Sequence, residues 1–205
     1  LEAEAALVMA SHNPALYHGL RGLGAVAPGR QADLLMLPDL ETFVPELVLK
    51  RGRPVEEIPA ATVPDWVKHT VRIGALGPEV FRIPWPGGSA RVIGLVPGQI
   101  ITESLVDEPA KRGGEALADP ERDLAKVAVI ERHGKNGNHA NGIVQGFGLK
   151  KGAIASTVGH DSHNICVVGV DEDDMARAAN RLGEIKGGFV VVEDGKVTGK
   201  MALPV

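Results

Sequence analysis

Apolar and polar positions along this chain follow two rhythms, and the places where one gives way to the other mark its elements. Leu1, Ala5 and Val8 recur at helical spacing in an Ala/Glu-rich opening and predict a helix over residues 1–9. Asn13-Pro14 reads as the N-cap and first position of a second short helix, which Gly19 ends. Residues 32–37 read as a buried strand closed by Pro38-Asp39, and residues 47–50 and 53–55 as a small hairpin turning at Gly52. A Pro/Ala/Thr stretch over 58–64 reads as a linker. Beyond it, residues 67–73 and 81–83 are candidate strands, and residues 90–96 and 99–106 flank Pro97-Gly98 as a strand pair. Residues 107–119 read as a surface loop and 124–130 as a further strand. The glycine-rich residues 133–151 read as a mobile loop leading into a short helix over 142–147. Asp171 reads as the N-cap of an amphipathic helix over 175–185, stopped by Gly187-Gly188. Residues 189–193 and 196–198, joined by Asp194-Gly195, complete the pattern as a hairpin.

Two short β-branched runs, residues 153–158 and 165–170, read as largely buried strands. Between them stand five consecutive polar residues, His160, Asp161, Ser162, His163 and Asn164. At the edge of a core such side chains need partners or a ligand, which makes this pentad the chain's best site candidate. The plainer reading is an Asx/Ser-rich turn whose side chains cap their own backbone. In an extended segment His160 and Ser162 share one face while Asp161 and His163 share the other, which disfavours a Ser-His-Asp triad. A metal pair or substrate clamp, with His160 and His163 as possible ligands, is geometrically easier.

Composition removes several alternatives. A net charge of −4 gives no basic footprint for nucleic-acid polymers. With 3% aromatic residues the core must come from Val, Ile, Leu and Ala. The single Cys166 excludes an internal disulfide, fits a reducing compartment, and reads as a buried inert thiol within its strand. No apolar run is long enough for a membrane span, and no signal peptide is visible. The glycines of 133–151 match neither a P-loop nor a dinucleotide fingerprint. Asp171-Glu172-Asp173-Asp174 lacks calcium-loop spacing and reads as a helix start that favours the macrodipole. Both ends run mid-pattern and read as cuts through something longer.

Two resemblances sharpen this reading. Met9-Ala-Ser-His-Asn-Pro-Ala15, Gly19-Leu20 and Gly24-Ala-Val-Ala-Pro-Gly-Arg-Gln-Ala-Asp-Leu34 resemble the end of an amidohydrolase-superfamily chain, where the last barrel helices lead back into a small β-sandwich. Gly159-His-Asp-Ser-His-Asn164, Val168-Gly169, Asp174-Met175, Ala179-Asn-Arg181 and Gly187-Gly-Phe-Val-Val-Val-Glu-Asp-Gly-Lys196 resemble bacterial adenine deaminase. Arg132-His-Gly134, Gly146-Phe-Gly-Leu149 and Gly152-Ala-Ile-Ala155 fit the same family's third domain.

The resemblance implies an α/β and α+β chain: barrel-end helices and β-sandwich strands over 1–58, a linker over 59–64, and a separate C-terminal α+β domain over 65–205. It implies hydrolysis of adenine to hypoxanthine and ammonia in purine salvage, with a divalent metal such as Mn, Fe or Zn bound mainly by barrel residues upstream. The His-x-Glu and Cys-x-x-Cys signature of the unrelated zinc nucleobase deaminases is absent. This chain alone is then expected to be inactive, with His160–Asn164 in an auxiliary, cleft-facing role. A cytoplasmic homo-oligomer acting on free adenine, without nucleic-acid polymer or membrane, completes the expectation. The competing readings are a non-catalytic assembly module and a self-contained hydrolase using His160, Asp161 and Ser162.

Overall fold

The computed structural model describes residues 2–160 and 162–204 and divides the chain into two compact units, Leu1–Thr62 and Val63–Val205. The first holds helices α1 (Ala3–Ala10) and α2 (His12–Tyr17) and strands β1 (Leu34–Met36), β2 (Leu47–Lys50) and β3 (Arg53–Pro54). Only Ser11 separates α2 from the end of α1, so Pro14 falls third in the helix rather than first. Proline is tolerated there because first-turn N–H groups have no partner within the helix. The three strands form a sheet in the order β1-β2-β3, and Arg51 and Gly52 both take positive φ in the hairpin turn, as that turn type requires. The expectation of a buried strand at 32–37 fails: Leu35 and Met36 are exposed, and Ala15 is the only buried residue described in this unit.

The second unit is built on an eight-stranded mixed sheet. Its strands are β4 (Ala90–Leu95), β5 (Thr102–Asp107), β8 (Leu124–Ile130), β9 (His139–Gln145), β10 (Ala153–Ser156), β11 (Ile165–Gly169), β12 (Gly188–Glu193) and β13 (Lys196–Ala202). The two-residue strands β6 (Lys111–Arg112) and β7 (Glu115–Ala116) pair separately, so the expected loop over 107–119 contains a small hairpin. The large sheet runs β13-β12-β10-β11-β8-β9-β4-β5, antiparallel except for the parallel pair β4 and β9. Together with the long helix α3 (Glu172–Glu184), this gives a mixed α/β architecture with few helices.

Helix α3 begins as expected: the Asp171 carboxylate accepts the Asp174 N–H at 2.9 Å. Its inner stripe of Met175, Ala178, Ala179 and Leu182 is fully buried. That stripe lies on one face of the sheet, against Ala153, Ala155, Ile165, Val167, Val190 and Val192. The approach is close enough that a Cβ on Gly169 would stand 2.4 Å from Met175 Cγ, so only glycine fits. Asp174, buried beneath the helix start, spends its carboxylate on the N–H groups of Asp194 and Gly195 at 3.0 and 2.7 Å and so fixes the last hairpin turn.

Three further expectations are corrected. Residues 139–145 form a strand between β8 and β4, not a loop and helix. A full ladder with β8, joined by β4 at Val144 and Gln145, outweighs the low strand preference of His139, Asn141 and Gly142. Residues 67–73 and 81–83 are not strands: single 3₁₀ turns occupy Asp65–Lys68 and Pro78–Phe81, and Val71 and Phe81 are drawn into the core beside α3. Cys166 is exposed, because β11 sends Ile165 and Val167 to the helix and Cys166 to the opposite face. Among the described residues no helix is long and apolar enough to cross a membrane.

Candidate functional site

The pentad lies in the connection between β10 and β11, at one end of the large sheet. The connection leaves β10 through a serine turn, in which the Ser156 hydroxyl accepts the Val158 N–H at 2.9 Å. Thr157 is buried and clamps the start of β12: its N–H reaches the Gly188 carbonyl at 3.0 Å and its Oγ1 accepts the Gly188 N–H at 2.9 Å. At the far side His163 takes a left-handed backbone conformation, φ +50°, as the chain turns into β11.

His160, Ser162 and His163 are exposed and Asn164 is half-buried, whereas Asp161 lies outside the described residues. The four described members are therefore not all trapped at a core edge. Among them only Asn164 meets that description, with a buried Oδ1 that has no hydrogen-bond partner. The connection is also a turn rather than an extended strand, so alternation of faces no longer argues against a triad. The triad reading requires Asp161 and falls outside the described residues with it.

A neighbouring loop completes the site. After β8, Glu131 curls the chain around its own carboxylate, which accepts the N–H groups of His133, of Lys135 at 3.0 Å, and of Asn136 and Gly137, both at 3.3 Å. Burial pushes the Glu131 carboxyl up, but these four donors outweigh it and hold the group below its ordinary value. The curl delivers His133 to the pentad, where its Nε2 donates to the Ser162 carbonyl oxygen at 3.1 Å. A carbonyl only accepts, so that hydrogen bond places a proton on Nε2. Arg132, beside it, is 7% exposed, and its Nε finds no partner; burial lowers the guanidinium's proton affinity.

The assembled groups are thus His133, His160, Ser162 and His163 at the surface, with Arg132 and Asn164 beneath or beside them. Sequence reasoning missed Arg132 and His133 as site members. The available signal was Glu131 followed by the glycines 134 and 137, a run of bare N–H groups suited to wrapping a carboxylate. Imidazoles here can exchange protons or bind a heteroaromatic edge. Among the described residues no three His, Cys, Asp or Glu side chains gather as metal ligands would. A separate hollow of ≈ 470 Å³ in the first unit, lined by Ala15, Leu20, Leu23, Val26, Asp33 and Leu35, offers no free acid or base. The Asp33 carboxylate there is held by Lys50 and Arg51 and by Gln31, which lowers its pKa to about 2.

Residues 99–205, just over half of the chain, match the adenine deaminase C-terminal domain, and the chain belongs to that family. It is similar over 199 residues, at 58% identity, to adenine deaminase 1 of Rhizobium etli. It is 57% identical over 202 residues to adenine deaminase 1 of Rhizobium johnstonii and 51% identical over 199 to an adenine deaminase of Brucella anthropi. Each alignment takes in 96% of this chain and 35% of the relative, so the chain spans about a third of the length of these proteins.

Proposed function

We propose that this chain serves in the metal-dependent hydrolysis of adenine to hypoxanthine and ammonia, as the non-metal part of the enzyme. The observation that carries the reading is the family match over residues 99–205, supported by relatives that are named adenine deaminases. A divalent metal such as Mn, Fe or Zn, held by protein outside this chain, supplies the polarised water that the reaction needs. Residues 1–58 fit the end of the barrel and the sandwich strands beside it, and residues 65–205 fit a domain that borders the catalytic cleft. Within that domain His163 and His160 present imidazoles that can carry a proton toward the departing nitrogen. Asp161 orients one of them, Ser162 and Asn164 brace the turn or meet a purine edge, and His133 holds the turn through the Ser162 carbonyl. The setting is cytoplasmic purine salvage, with free adenine as substrate.

The test is adenine-dependent ammonia release by this chain and by a polypeptide that also carries the portion found in the longer relatives. The chain alone is expected to be inactive and the longer polypeptide active. His163→Ala in the longer polypeptide lowers turnover about tenfold or more while leaving its unfolding midpoint in place. Metal-dependent release by the chain alone overturns the assignment of the metal site. Lost stability with normal turnover in both His160→Ala and His163→Ala reduces the pentad to a loop brace.

A further inference from the structure

Three charged side chains are buried among the described residues, and one of them has nothing to hold. Lys126 pairs with Glu172, and Asp174 accepts two backbone N–H groups. The Arg132 guanidinium forms neither an ion pair nor a hydrogen bond with the described residues. It belongs to a residue that is 7% exposed, and its Nε is closed off from solvent as well as unpaired. A guanidinium stays charged in proteins, so a buried fork without a partner is a cost that the fold carries.

Its surroundings add charge of the same sign. Strands β8 and β11 end side by side at Ile130 and Ile165, and the hydrogen bond from His133 to the Ser162 carbonyl ties the turn after β8 to the pentad. Arg72 lies across that turn, and its N–H donates to the Arg132 carbonyl at 2.7 Å. Gly134, at φ +71°, makes room for it: a Cβ there would stand 3.0 Å from Arg72 Cβ and 3.5 Å from its Cδ. Lys135 follows in the same turn. Arg72, His133 and Lys135 are exposed, and neither Arg72 nor Lys135 forms an ion pair among the described residues. The acid of the turn, Glu131, answers none of these charges, because four backbone N–H groups take up its carboxylate.

We propose that Arg132, Arg72 and Lys135, with His133 beside them, form a binding site for a phosphate group, either the free ion or the phosphate of a mononucleotide. Neither adenine nor hypoxanthine carries a phosphate, so the proposal stands apart from the deaminase reading. Charge selects the ligand. Three permanent cations gather at one turn, and a carboxylate would offset only one of them, whereas a phosphate brings about −1.5 to −2 at neutral pH. Shape agrees with charge. The Nε edge of an arginine offers two parallel N–H groups to two oxygens of one anion, which answers the unpaired donor of Arg132. Extent argues against a polyanion, since the cations are confined to one turn in a chain of net charge −4. The competing occupant is the chain's own Asp161, which lies outside the described residues and which the experiment separates.

The experiment is calorimetric titration of the 205-residue chain with inorganic phosphate, adenosine monophosphate and adenosine, joined to unfolding midpoints with and without phosphate. One-to-one phosphate binding in the millimolar range or tighter is expected, with a midpoint that rises as phosphate is added. Arg132→Met fills the same space without charge. It is at least as stable as the parent in phosphate-free buffer, binds phosphate about a hundredfold more weakly and gains no midpoint from it. Arg132→Lys keeps the charge without the fork and binds about tenfold more weakly, and Arg72→Gln and Lys135→Gln about fivefold each. These last two positions are exposed and decide the matter if Arg132→Met does not fold. Arg177→Gln, at the opposite end of the sheet beside Gly195, leaves binding unchanged. Tighter binding of the monophosphate, with the same dependence on Arg132, assigns the site to a nucleotide, and equal affinity assigns it to the free ion. Absence of saturable phosphate binding overturns the proposal, as does binding that a folded Arg132→Met variant keeps or that adenosine matches without a phosphate. Binding that appears only in Asp161→Asn gives Arg132 to the chain's own carboxylate and overturns it too.

Discussion

The two faces of the eight-stranded sheet are made from the same kinds of side chain and have opposite fates. On one, Ala155, Ile165, Val167, Val190 and Val192 are sealed beneath Met175, Ala178 and Leu182 of α3. On the other, Phe189, Cys166, Val129 and Ile93 meet solvent. An antiparallel sheet covered on one side usually alternates apolar and polar residues, and these strands do not. Both faces are therefore written for burial, and only one is buried by the segment that carries the writing. Burial propensity along a strand reports that something covers each face, not which element does.

The largest effect that sharpens this contrast comes from the sealed face. Leu182 is fully buried against the sheet, and Leu182→Ala removes its side chain where neighbours on a rigid strand cannot close the gap. Loss of about 3 kcal/mol of unfolding free energy is expected, with an unchanged denaturant slope. Urea unfolding measures it. A loss below about 1 kcal/mol would place the helix loosely on the sheet and remove the asymmetry between the faces.

The same contrast explains what could be read from the sequence and what could not. Strand β8 was legible to the residue, and β4, β5, β11, β12 and the Asp171 cap nearly so, because β-branched runs end at turns such as Pro97-Gly98 and Asp194-Gly195. Strand β9 was not, since His139, Asn141 and Gly142 gain strand geometry only by pairing with β8, against their own low strand preference. Cys166 was read as buried because a run such as Ile165-Cys-Val-Val-Gly169 fixes alternation but not which face has a roof. The site was half legible. The polar pentad stood out by composition, yet His133 and Arg132 enter it through a turn that Glu131 closes on backbone N–H groups, whose mark in the sequence is no more than a glutamate ahead of two glycines. The role of Asp174 escaped because its carboxylate accepts backbone N–H groups of Asp194 and Gly195, some twenty residues further on.

A second, smaller effect lies where the sealed face holds a charge. Lys126 is 1% exposed on β8, between Leu124 and Ala128, and reaches Glu172 in the first turn of α3. Burial pushes the Glu172 carboxyl up, but the hydrogen bond from Lys126 and its charge outweigh that and hold the group below its ordinary value. Removing one partner strands the other: Glu172→Gln is expected to lose on the order of 2 kcal/mol, less than for a fully buried pair because Glu172 keeps some solvent contact. Lys126→Met, which fills the same space without charge, stays within about 1 kcal/mol of the parent. Because the folded carboxyl titrates below the unfolded one, its stabilisation is complete above the unfolded value of 4.5 and is lost as pH falls through the folded one. Urea midpoints at neutral pH and near pH 3 should therefore diverge more for the parent than for Lys126→Met. Equal divergence would remove Glu172 from the account.

The smallest expected effect belongs to the open face. Val129 and Ala128 are neighbours on β8, yet Ala128 is 1% exposed beneath the helix layer and Val129 is 44% exposed on the other side. Val129→Thr keeps the β-branch, and so the strand preference, and exchanges one methyl for a hydroxyl that solvent can satisfy. In dilute, monomeric protein the change in unfolding free energy should stay within about 0.5 kcal/mol, as for surface substitutions that touch no special feature. Ala128→Thr makes a contrasting control, since a larger polar group there has neither room nor partner and should lose about 2 kcal/mol. If Val129→Thr destabilises the dilute monomer as much as Ala128→Thr does, part of this same chain already covers the second face. The contrast between the two faces would then dissolve.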